Sequence, residues 1–310
     1  MLKKIVIYII VIICFMIPAD FISYKIVCIN TLKYFNDDMK KTVQLPSWFA
    51  FRTRMYDDTS FQWMKENISK DILRPVAGKS YQKPAIWLFG CSFAYGNSMV
   101  TGIHNNEDTF GYILSEYTQR PVYNRAYPGW GVQHMLWQLE QKQIYNELPE
   151  PEYIIFTFIA DHGRRLQKIV YDAWSDGAYL RYKINKKGQL EQIKGILEPL
   201  WKFYFVKLWL THLEFNIRLA EKEHDKNFDL LEEMFIQSKK LAEQKYPNVK
   251  FIVLKYNGND GFDRWFIETD RWSELEKKGF IVIDADKLIN QDLHNEKYLD
   301  SDSYHPNKHA

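Results

Sequence analysis

The sequence has few cysteines and little net charge, and each of these features argues against a class of protein. Its three cysteines, Cys14, Cys28 and Cys91, form no CxxC pair and have no metal-ligand spacing, so they indicate neither a disulfide framework nor a zinc module. The formal net charge is only +2, with lysines and arginines spread along 310 residues. Such a distribution lacks the basic patch of a nucleic-acid-binding protein, and no nucleic acid is expected as a partner.

Apolar residues make up 46% of the chain and aromatic residues 16%, which is enough for a sizeable core. This composition also argues against intrinsic disorder. The length suits one large domain, or one domain with an appendage.

The N-terminus carries the pattern of a membrane anchor. Lys3 and Lys4 precede an apolar run, 5–22, that has no charge before Asp20. About 20 apolar residues cross a bilayer as a helix, and this run is slightly shorter. A secretory signal peptide has a similar pattern, but no small-x-small cleavage site follows the run. We therefore expect an uncleaved signal anchor, with the rest of the chain outside the cytoplasm, in the periplasm or the exterior. The alternative is a buried hydrophobic segment.

Beyond the N-terminal third, apolar runs typical of buried strands alternate with amphipathic segments. This alternation predicts βαβ units and a parallel sheet. In the first predicted helix, the spacing places Phe110, Ile113, Leu114 and Tyr117 on one face. The predicted strands are 85–90, 121–126, 152–161, 249–257 and 279–285, and the predicted helices between the first three strands are 107–118 and 132–148.

Between the third and fourth predicted strands the alternation breaks. The pattern predicts a hairpin over 178–195 and helix over 200–246, so 163–240 is interpreted as a mostly helical insertion over the carboxyl edge of the sheet. The predicted organisation is a signal anchor (1–22), an extension (23–84) and an α/β domain that carries the insertion (85–310).

The segment "WLFGCSFAYGNS" (87–98) runs from an apolar strand into a turn of small residues and places Ser92 where the strand ends. The carboxyl ends of parallel strands face the crevice in which α/β proteins bind their ligands. A hydroxyl at this point is either a helix cap or a nucleophile.

A second fragment stands near the end of the sequence, where "DSDSYHPN" (300–307) places Asp302 three residues before His305. A histidine that deprotonates a serine needs its other nitrogen held by an acceptor, usually a carboxylate. A short Asp-x-x-His loop can supply both groups.

A third fragment follows the second predicted strand, where Gly129 and Gly131 flank Trp130. A glycine at this point lets the backbone approach a substrate, and its amide can donate to an oxyanion. All three fragments fall at strand ends on one edge of the predicted sheet, which favours nucleophilic catalysis by Ser92.

In order and placement these fragments resemble the motifs of the SGNH, or GDSL-type, hydrolases. The resemblance runs from about residue 85 to His305, interrupted by the insertion. The family's first block is similar to "GCSFAYG" (90–96), its second block to Asn124 and Gly129, and its Asp-x-x-His-Pro block to Asp302, His305 and Pro306.

The resemblance implies a three-layer α/β/α sandwich on a central five-stranded parallel sheet of the flavodoxin-like kind. It makes Ser92 the nucleophile, His305 the base and Asp302 the residue that orients the base, with the amides of Ser92 and Gly129 in the oxyanion hole. Members of the family hydrolyse or transfer acyl groups on lipids, sugars and small esters without a metal, so we expect no metal and no cofactor.

Two positions depart from the family pattern. Cys91 replaces an Asp that is not part of the triad, and its side chain is expected to point away from the histidine, which argues against a thiol nucleophile. In "FIADHGRR" (158–165), Ala160 stands where the family has an oxyanion-donating Asn. Either that contact is lost or His162 supplies it. The alternative for His162 is a structural histidine at a strand end.

Two further motifs indicate a function less specifically. The basic pair of Arg164 and Arg165 could bind an anionic substrate, and we take Arg165 as the candidate, with a solvated surface as the alternative. "NGND" (257–260) imitates the missing block but follows the fourth predicted strand, so it is interpreted as a loop.

The sequence therefore predicts a membrane-anchored serine esterase or O-acyltransferase whose partner is a small-molecule, glycan or lipid ester. The alternative is a catalytically weak or silent module that binds a cell-envelope glycan or lipid, because Ala160 cannot donate to an oxyanion. Turnover of p-nitrophenyl acetate that disappears in Ser92→Ala would distinguish the two.

Overall fold

The structure is a computed structural model, and it describes most of the α/β part of the chain. The described residues are 74–98, 102–103, 105–141, 143–166, 181–193, 214–256, 265–285 and 287, together with Phe15, Pro18 and Ile22. The chain divides into two compact units, one of Met1–Asp58 with Gly195–Lys222 and one of Thr59–Lys194 with Glu223–Ala310. The architecture below is that of the second unit.

A five-stranded parallel sheet forms the centre of this unit. Its strands are β1 (Ala85–Phe89), β4 (Val122–Asn124), β5 (Pro151–Ile159), β8 (Lys250–Tyr256) and β9 (Ile281–Asp284). They are arranged in the order β4-β1-β5-β8-β9, so that the five strands follow a 2-1-3-4-5 order along the chain. This is the order of flavodoxin-like sheets, and it confirms the predicted parallel α/β fold.

The remaining elements are helices and two short hairpins. The hairpins are β2 (Asn97–Ser98) with β3 (Gly102–Ile103), and β6 (Arg181–Ile184) with β7 (Leu190–Ile193). The second of these confirms the hairpin predicted within 178–195. The helices are α1 (Ser92–Tyr95), α2 (Phe110–Thr118), α3 (Val132–Glu140), α4 (Ile144–Glu147), α5 (Ala160–Arg164), α6 (Glu214–Lys245), α7 (Trp265–Glu268) and α8 (Trp272–Lys277), and a 3-10 turn spans Asn106–Asp108.

Both faces of the sheet are covered, which makes the predicted three layers. Because side chains alternate along a strand, Trp87 and Phe89 face one side while Ile86 and Leu88 face the other. The first face carries the larger cluster, which includes side chains of α3, α6 and α8. The second face packs against α1 and α2. Burial on both faces explains why the sequences of the strands are almost continuous apolar runs.

Helix α6 corrects one predicted boundary. Its side chains Phe228, Leu231 and Phe235 are fully buried in the larger cluster, so this part of the helix is a layer of the sandwich. A fully buried side chain of this size contributes about 1.5–3 kcal/mol to stability. The predicted insertion, 163–240, therefore extends too far, because its last part belongs to the core of the domain.

The segment before β1 also belongs to the domain, although it was predicted as part of an extension. Ala77 exchanges backbone hydrogen bonds with Val122 at 3.2 and 2.9 Å, which adds an antiparallel bridge beside β4. Arg74 donates to the carbonyls of Tyr95 and Gly96, at 2.7 and 2.5 Å, and so closes the end of α1.

In α2 the predicted face is rotated. Tyr117 was predicted to share one face with Phe110, Ile113 and Leu114, but it is 87% exposed, whereas Gly111 and Ser115 are buried. The small side chains let α2 lie close to the sheet, since a Cβ on Gly111 would already be 3.4 Å from Leu88 and 3.5 Å from Asn124.

The predicted anchor, 5–22, lies outside the described residues except at three positions. Phe15, Pro18 and Ile22 are helical and exposed, Phe15 by 73% and Ile22 by 57%. Among the residues that the structure describes, no helix combines the length and the apolar character that a membrane span needs.

Candidate active site

The exit of β1 is a tightly constrained turn that presents Ser92. Gly90 has φ +153°, and a Cβ there would lie 2.0 Å from Oγ1 of Thr157 on the neighbouring strand β5. Only glycine fits at this position. The chain then turns through the buried Cys91 into α1, of which Ser92 is the first residue. Ser92 itself is half-buried, so its hydroxyl lies at the edge of the core.

The side chain of Cys91 is fully buried. Burial raises the pKa of its thiol, and the smaller opposing effects come from Arg165 and from hydrogen bonds with the Phe93 backbone and the Ser92 side chain. A reactive cysteine needs a lowered pKa and some exposure. The protonated, fully buried thiol supports the prediction that Ser92, and not Cys91, reacts.

Asn124, at the end of β4, ties this strand to the helix of Ser92. Its side-chain NH₂ donates to the carbonyl of Ala94 in α1 at 2.6 Å, and its side-chain oxygen accepts from the backbone N–H of Ala126 at 3.0 Å. Both bonds are buried. They use both the NH₂ group and the oxygen of the side-chain amide, which explains why an Asn stands at position 124.

The turn after β4 leaves one backbone donor available. The N–H of Tyr127 donates to Gly90 at 3.3 Å, that of Trp130 donates to Tyr127 at 3.0 Å, and that of Gly131 donates to Nδ1 of His134 at 2.9 Å. Pro128 has no N–H. Within the described residues, Gly129 therefore has the one N–H of this turn that makes no hydrogen bond.

Gly129 is also partly exposed, and its φ of +81° is a left-handed conformation that favours glycine. The bond from Tyr127 to Gly90 holds its turn against the exit of β1. The edge-to-face contact of Tyr127 with Tyr95, with ring centroids 5.7 Å apart, adds a second contact between the turn and α1. The Ser92 helix and the Gly129 turn thus form one packed unit.

The sheet order identifies the crevice that these groups border. In a 2-1-3-4-5 sheet, ligands bind outside the carboxyl ends of the strands at the point where the direction of the connections reverses. Here that point lies between β1 and β5. Ser92 directly follows β1, and α5 begins directly after β5. The serine therefore occupies the position at which this class of fold binds its ligand.

Arg165, predicted to bind substrate, makes two bonds within the protein. One guanidinium nitrogen donates to the carbonyl of Trp130 at 2.5 Å, and another pairs with the carboxylate of Asp161 at 2.5 Å. Sequence reasoning missed Asp161 altogether. The available signal was the i,i+4 spacing of an acid and a base in the helix that follows β5.

His162 is placed as a structural histidine. Its side chain has no exposed surface, and its ring contacts those of Phe156 and Phe158 with centroids 5.3 and 5.5 Å apart. Its Nδ1 accepts the backbone N–H of Ile159 at 3.3 Å, which leaves the proton on Nε2, and this buried Nε2 has no hydrogen-bond partner among the residues that the structure describes. A donor to an oxyanion must reach the crevice. This placement favours the structural alternative over the predicted oxyanion role.

Ala160 is 1% exposed and belongs to the larger apolar cluster, so its side chain contributes packing and no hydrogen-bond donor. Asp302 and His305, the predicted acid and base, lie outside the described residues, as do 257–260. In the part of the chain that is described, no three His, Cys, Asp or Glu side chains come together as a metal site would require.

No known protein family matches the chain, and no curated protein matches it either. Solved structures, in contrast, match the chain. One is a protein assigned to the G-D-S-L lipolytic family from Desulfitobacterium hafniense DCB-2, with a TM-score of 0.40 and 13% identity over 73% of this chain and 93% of that one.

Two esterases are also similar. An acetyl xylan esterase from the rumen bacterium Butyrivibrio proteoclasticus has a TM-score of 0.32 and 11% identity over 68% of this chain and 56% of its own. A carbohydrate esterase with divergent catalytic and non-catalytic binding functions has a TM-score of 0.35 and 13% identity over 77% and 63%. The function proposed below rests on the residues of this chain and not on these distant likenesses.

Proposed function

We propose that the protein is a serine-dependent ester hydrolase or acyl transferase that acts on an O-acylated carbohydrate, lipid or small ester. The observation that supports this most directly is the packed unit of Ser92 and the Gly129 turn. It joins the helix that begins at the half-buried Ser92 to a turn in which, among the described residues, the Gly129 N–H makes no hydrogen bond. A nucleophile next to a free amide donor is the arrangement that acyl transfer requires.

In the proposed mechanism, Ser92 attacks the ester carbonyl and His305 takes its proton. Asp302 holds the imidazole in the correct tautomer and stabilises its charged form. The negative charge of the tetrahedral intermediate is stabilised by the amides of Ser92 and Gly129. His305 then protonates the leaving alkoxide, and the acyl group passes from Ser92 to water or to an acceptor hydroxyl.

A second candidate is a binding module that retains the fold but has weak or no activity. The burial of Ala160 favours it, since the oxyanion hole then lacks a third donor. Loss of one such donor costs about a hundred- to thousandfold in rate. A slow enzyme and a silent module are therefore the two outcomes to separate.

The test is turnover of p-nitrophenyl acetate by the full-length protein, combined with labelling by a fluorophosphonate and mapping of the adduct by mass spectrometry. We expect slow turnover and an adduct on Ser92, both lost in Ser92→Ala and in His305→Ala. Ser80→Ala is the matched control, because Ser80 is an exposed serine outside the motif. Full turnover in Ser92→Ala overturns the proposed nucleophile. No turnover and no adduct in the wild type would overturn the proposed enzyme in favour of the second candidate.

We also propose that 5–22 anchors the protein to a membrane, with the α/β domain in the periplasm or the exterior. The helical Phe15 and Ile22 support this proposal, because exposed apolar side chains of this size suit contact with lipid.

A further inference from the structure

Arg165 connects two segments that the sheet holds apart. Its bonds to Asp161 and to the Trp130 carbonyl join α5, which follows β5, to the turn that follows β4. In the sheet, β4 and β5 lie on opposite sides of β1. Because all three strands are parallel, their carboxyl ends share one edge. The link from Asp161 through Arg165 to Trp130 therefore passes over the end of β1, where Ser92 stands.

The electrostatics of Cys91 support this placement. Both Arg165 and Asp161 act on the pKa of the Cys91 thiol, the arginine lowering it and the aspartate raising it. Cys91 is the residue directly before Ser92. The ion pair therefore lies within electrostatic reach of the turn that carries the nucleophile.

The pair is also largely withdrawn from solvent. The side chains of Arg165 and Asp161 are 12% and 10% exposed. A charge buried to this extent is stable only with its partner, so Asp161 fixes Arg165 in place. The planar guanidinium then fixes a second group, the Trp130 carbonyl, in a defined direction.

The group that Arg165 fixes belongs to the turn of Gly129. The Trp130 carbonyl is held by Arg165, and the next amide, that of Gly131, is held by His134. The peptide between residues 130 and 131 is held on both sides, and on the other side of Gly129 the N–H of Tyr127 is bonded to Gly90, so the turn is fixed at both ends and the orientation of the Gly129 N–H is restrained. An oxyanion donor stabilises the intermediate only when it is preorganised, and a displacement of about 1 Å can cost on the order of a hundredfold in rate.

We propose that Arg165 and Asp161 are positioning residues that hold the Gly129 donor over Ser92, so that Arg165 does not bind the substrate. The claim that the Gly129 donor acts over Ser92 rests on the function proposed above. It differs from the sequence prediction, in which Arg165 contacts an anionic substrate directly.

The chain offers a matched control in Arg120. This arginine also pairs with a carboxylate, that of Glu152 at 2.6 Å, and donates to a backbone carbonyl, that of Pro84 at 3.0 Å. These residues lie at the amino ends of β4, β5 and β1, which is the opposite edge of the same sheet. Arg120→Met removes the same kind of link at the edge away from Ser92.

The experiment compares full-length Arg165→Met, Arg165→Lys and Arg120→Met with the wild type. Because Arg165→Met alone removes the ion pair of the largely buried Asp161 carboxylate and can unfold the protein, the double variant Asp161→Asn/Arg165→Met is included. Kinetics are measured with neutral p-nitrophenyl acetate and with anionic mono-p-nitrophenyl succinate. Hydrogen exchange is followed in the peptide that covers residues 127–134.

Positioning predicts that kcat falls about tenfold or more for both esters in Arg165→Met and in the double variant, with KM changed less than about threefold. The kcat of Arg165→Lys should lie between those of the wild type and Arg165→Met, because an ammonium cannot form the two fixed bonds. Exchange in 127–134 accelerates in the Arg165 variants and not in Arg120→Met.

Other outcomes overturn the inference. A rise in KM confined to the anionic ester would assign Arg165 to substrate binding. An unchanged kcat with unchanged exchange would show that the link positions nothing. If the wild type shows no Ser92-dependent turnover, the proposed function fails, and the exchange comparison still decides whether Arg165 orders the turn.

Discussion

The backbone N–H of Gly131 donates to Nδ1 of His134 at 2.9 Å, inside a part of the protein that water does not reach. His134 stands at the third position of α3, and its ring stacks on Trp130 with centroids 5.3 Å apart and an interplanar angle of 1°. One histidine thus caps the helix and holds the turn that precedes it.

Loss of this cap is expected to destabilise the fold. His134→Leu leaves the Gly131 N–H buried without an acceptor, which costs about 1–3 kcal/mol of unfolding free energy. His134→Gln is the control, since a glutamine at the third helical position can accept from the same kind of N–H. Urea denaturation measures the free energy of unfolding of both variants. Equal stability of the Leu and Gln variants would show that the hydrogen bond contributes nothing.

Asn124→Ala removes two buried hydrogen bonds at once. The carbonyl of Ala94 and the N–H of Ala126 lose their partners, so the free energy of unfolding should fall by about 2–4 kcal/mol. Because the bond to Ala94 locates the helix of Ser92, fluorophosphonate labelling should slow as well. Asn146→Ala is the control, as Asn146 is exposed on α4 and should change stability by less than about 0.5 kcal/mol. The prediction fails if the two variants unfold at the same urea concentration.

Gly90→Ala should be among the most destabilising single substitutions in the domain. A Cβ at Gly90 would overlap Oγ1 of Thr157 at 2.0 Å, and the backbone conformation is strained for any other residue, so a loss of about 3 kcal/mol is expected. Gly188→Ala separates the two causes. Gly188 also has positive φ, at +74°, but no atom lies within 4 Å of its Cβ position, so it should cost about 1–2 kcal/mol. A Gly90 variant as stable as the Gly188 variant would contradict the overlap.

His162 should make stability depend on pH. Burial lowers the pKa of His162 well below its usual range, with Arg165 and His134 acting in the same direction and Asp161 against them. The unfolded chain, with an ordinary pKa of about 6.5, then binds more protons in mild acid. The stability that this residue contributes is therefore fully present above about pH 6.5 and is lost as the pH falls towards the folded pKa.

The measurement is the melting temperature between pH 7.5 and 4.5 in the wild type and in His162→Gln. The variant should lose part of the acid destabilisation while keeping an acceptor for the Ile159 N–H. Its kcat should stay close to the wild-type value if the histidine is structural. A kcat lowered more than about tenfold would restore the oxyanion role predicted from the sequence.

The proposed anchor has a direct biochemical test. Full-length protein should remain with membranes through alkaline carbonate extraction. The double variant Ile9→Lys/Ile13→Lys should be released, since each lysine near the centre of a membrane helix costs about 2.5–3.5 kcal/mol of insertion. Wild-type protein that is extracted as soluble material of unprocessed mass would contradict the anchor.

The sheet could be predicted from the sequence because its strands are buried on both faces. A run such as that of β5, in which Ile154, Phe156 and Phe158 face one layer and Ile155 the other, has almost no polar interruption. The role of α6 could not be predicted in the same way. An apolar stripe on a long helix looks the same whether it covers a central sheet or packs inside an insertion.

For the site, local motifs were informative and long-range links were not. Ser92 and Gly129 stand out because each lies in a short segment in which a strand end, a turn and small residues are recognisable. The bond from Arg165 to Trp130 joins residues 35 positions apart. It depends on β4 and β5 lying on either side of β1, and no local pattern encodes that order.

The contact of Gly90 with Thr157 has a consequence for how relatives of this protein can diverge. Position 90 cannot gain a side chain while position 157 carries a branched one, so the two sites should change together across species. The order of the changes matters as well, since a smaller residue at 157 has to come first. A lineage that had lost the glycine before the threonine would have passed through an intermediate destabilised by about 3 kcal/mol.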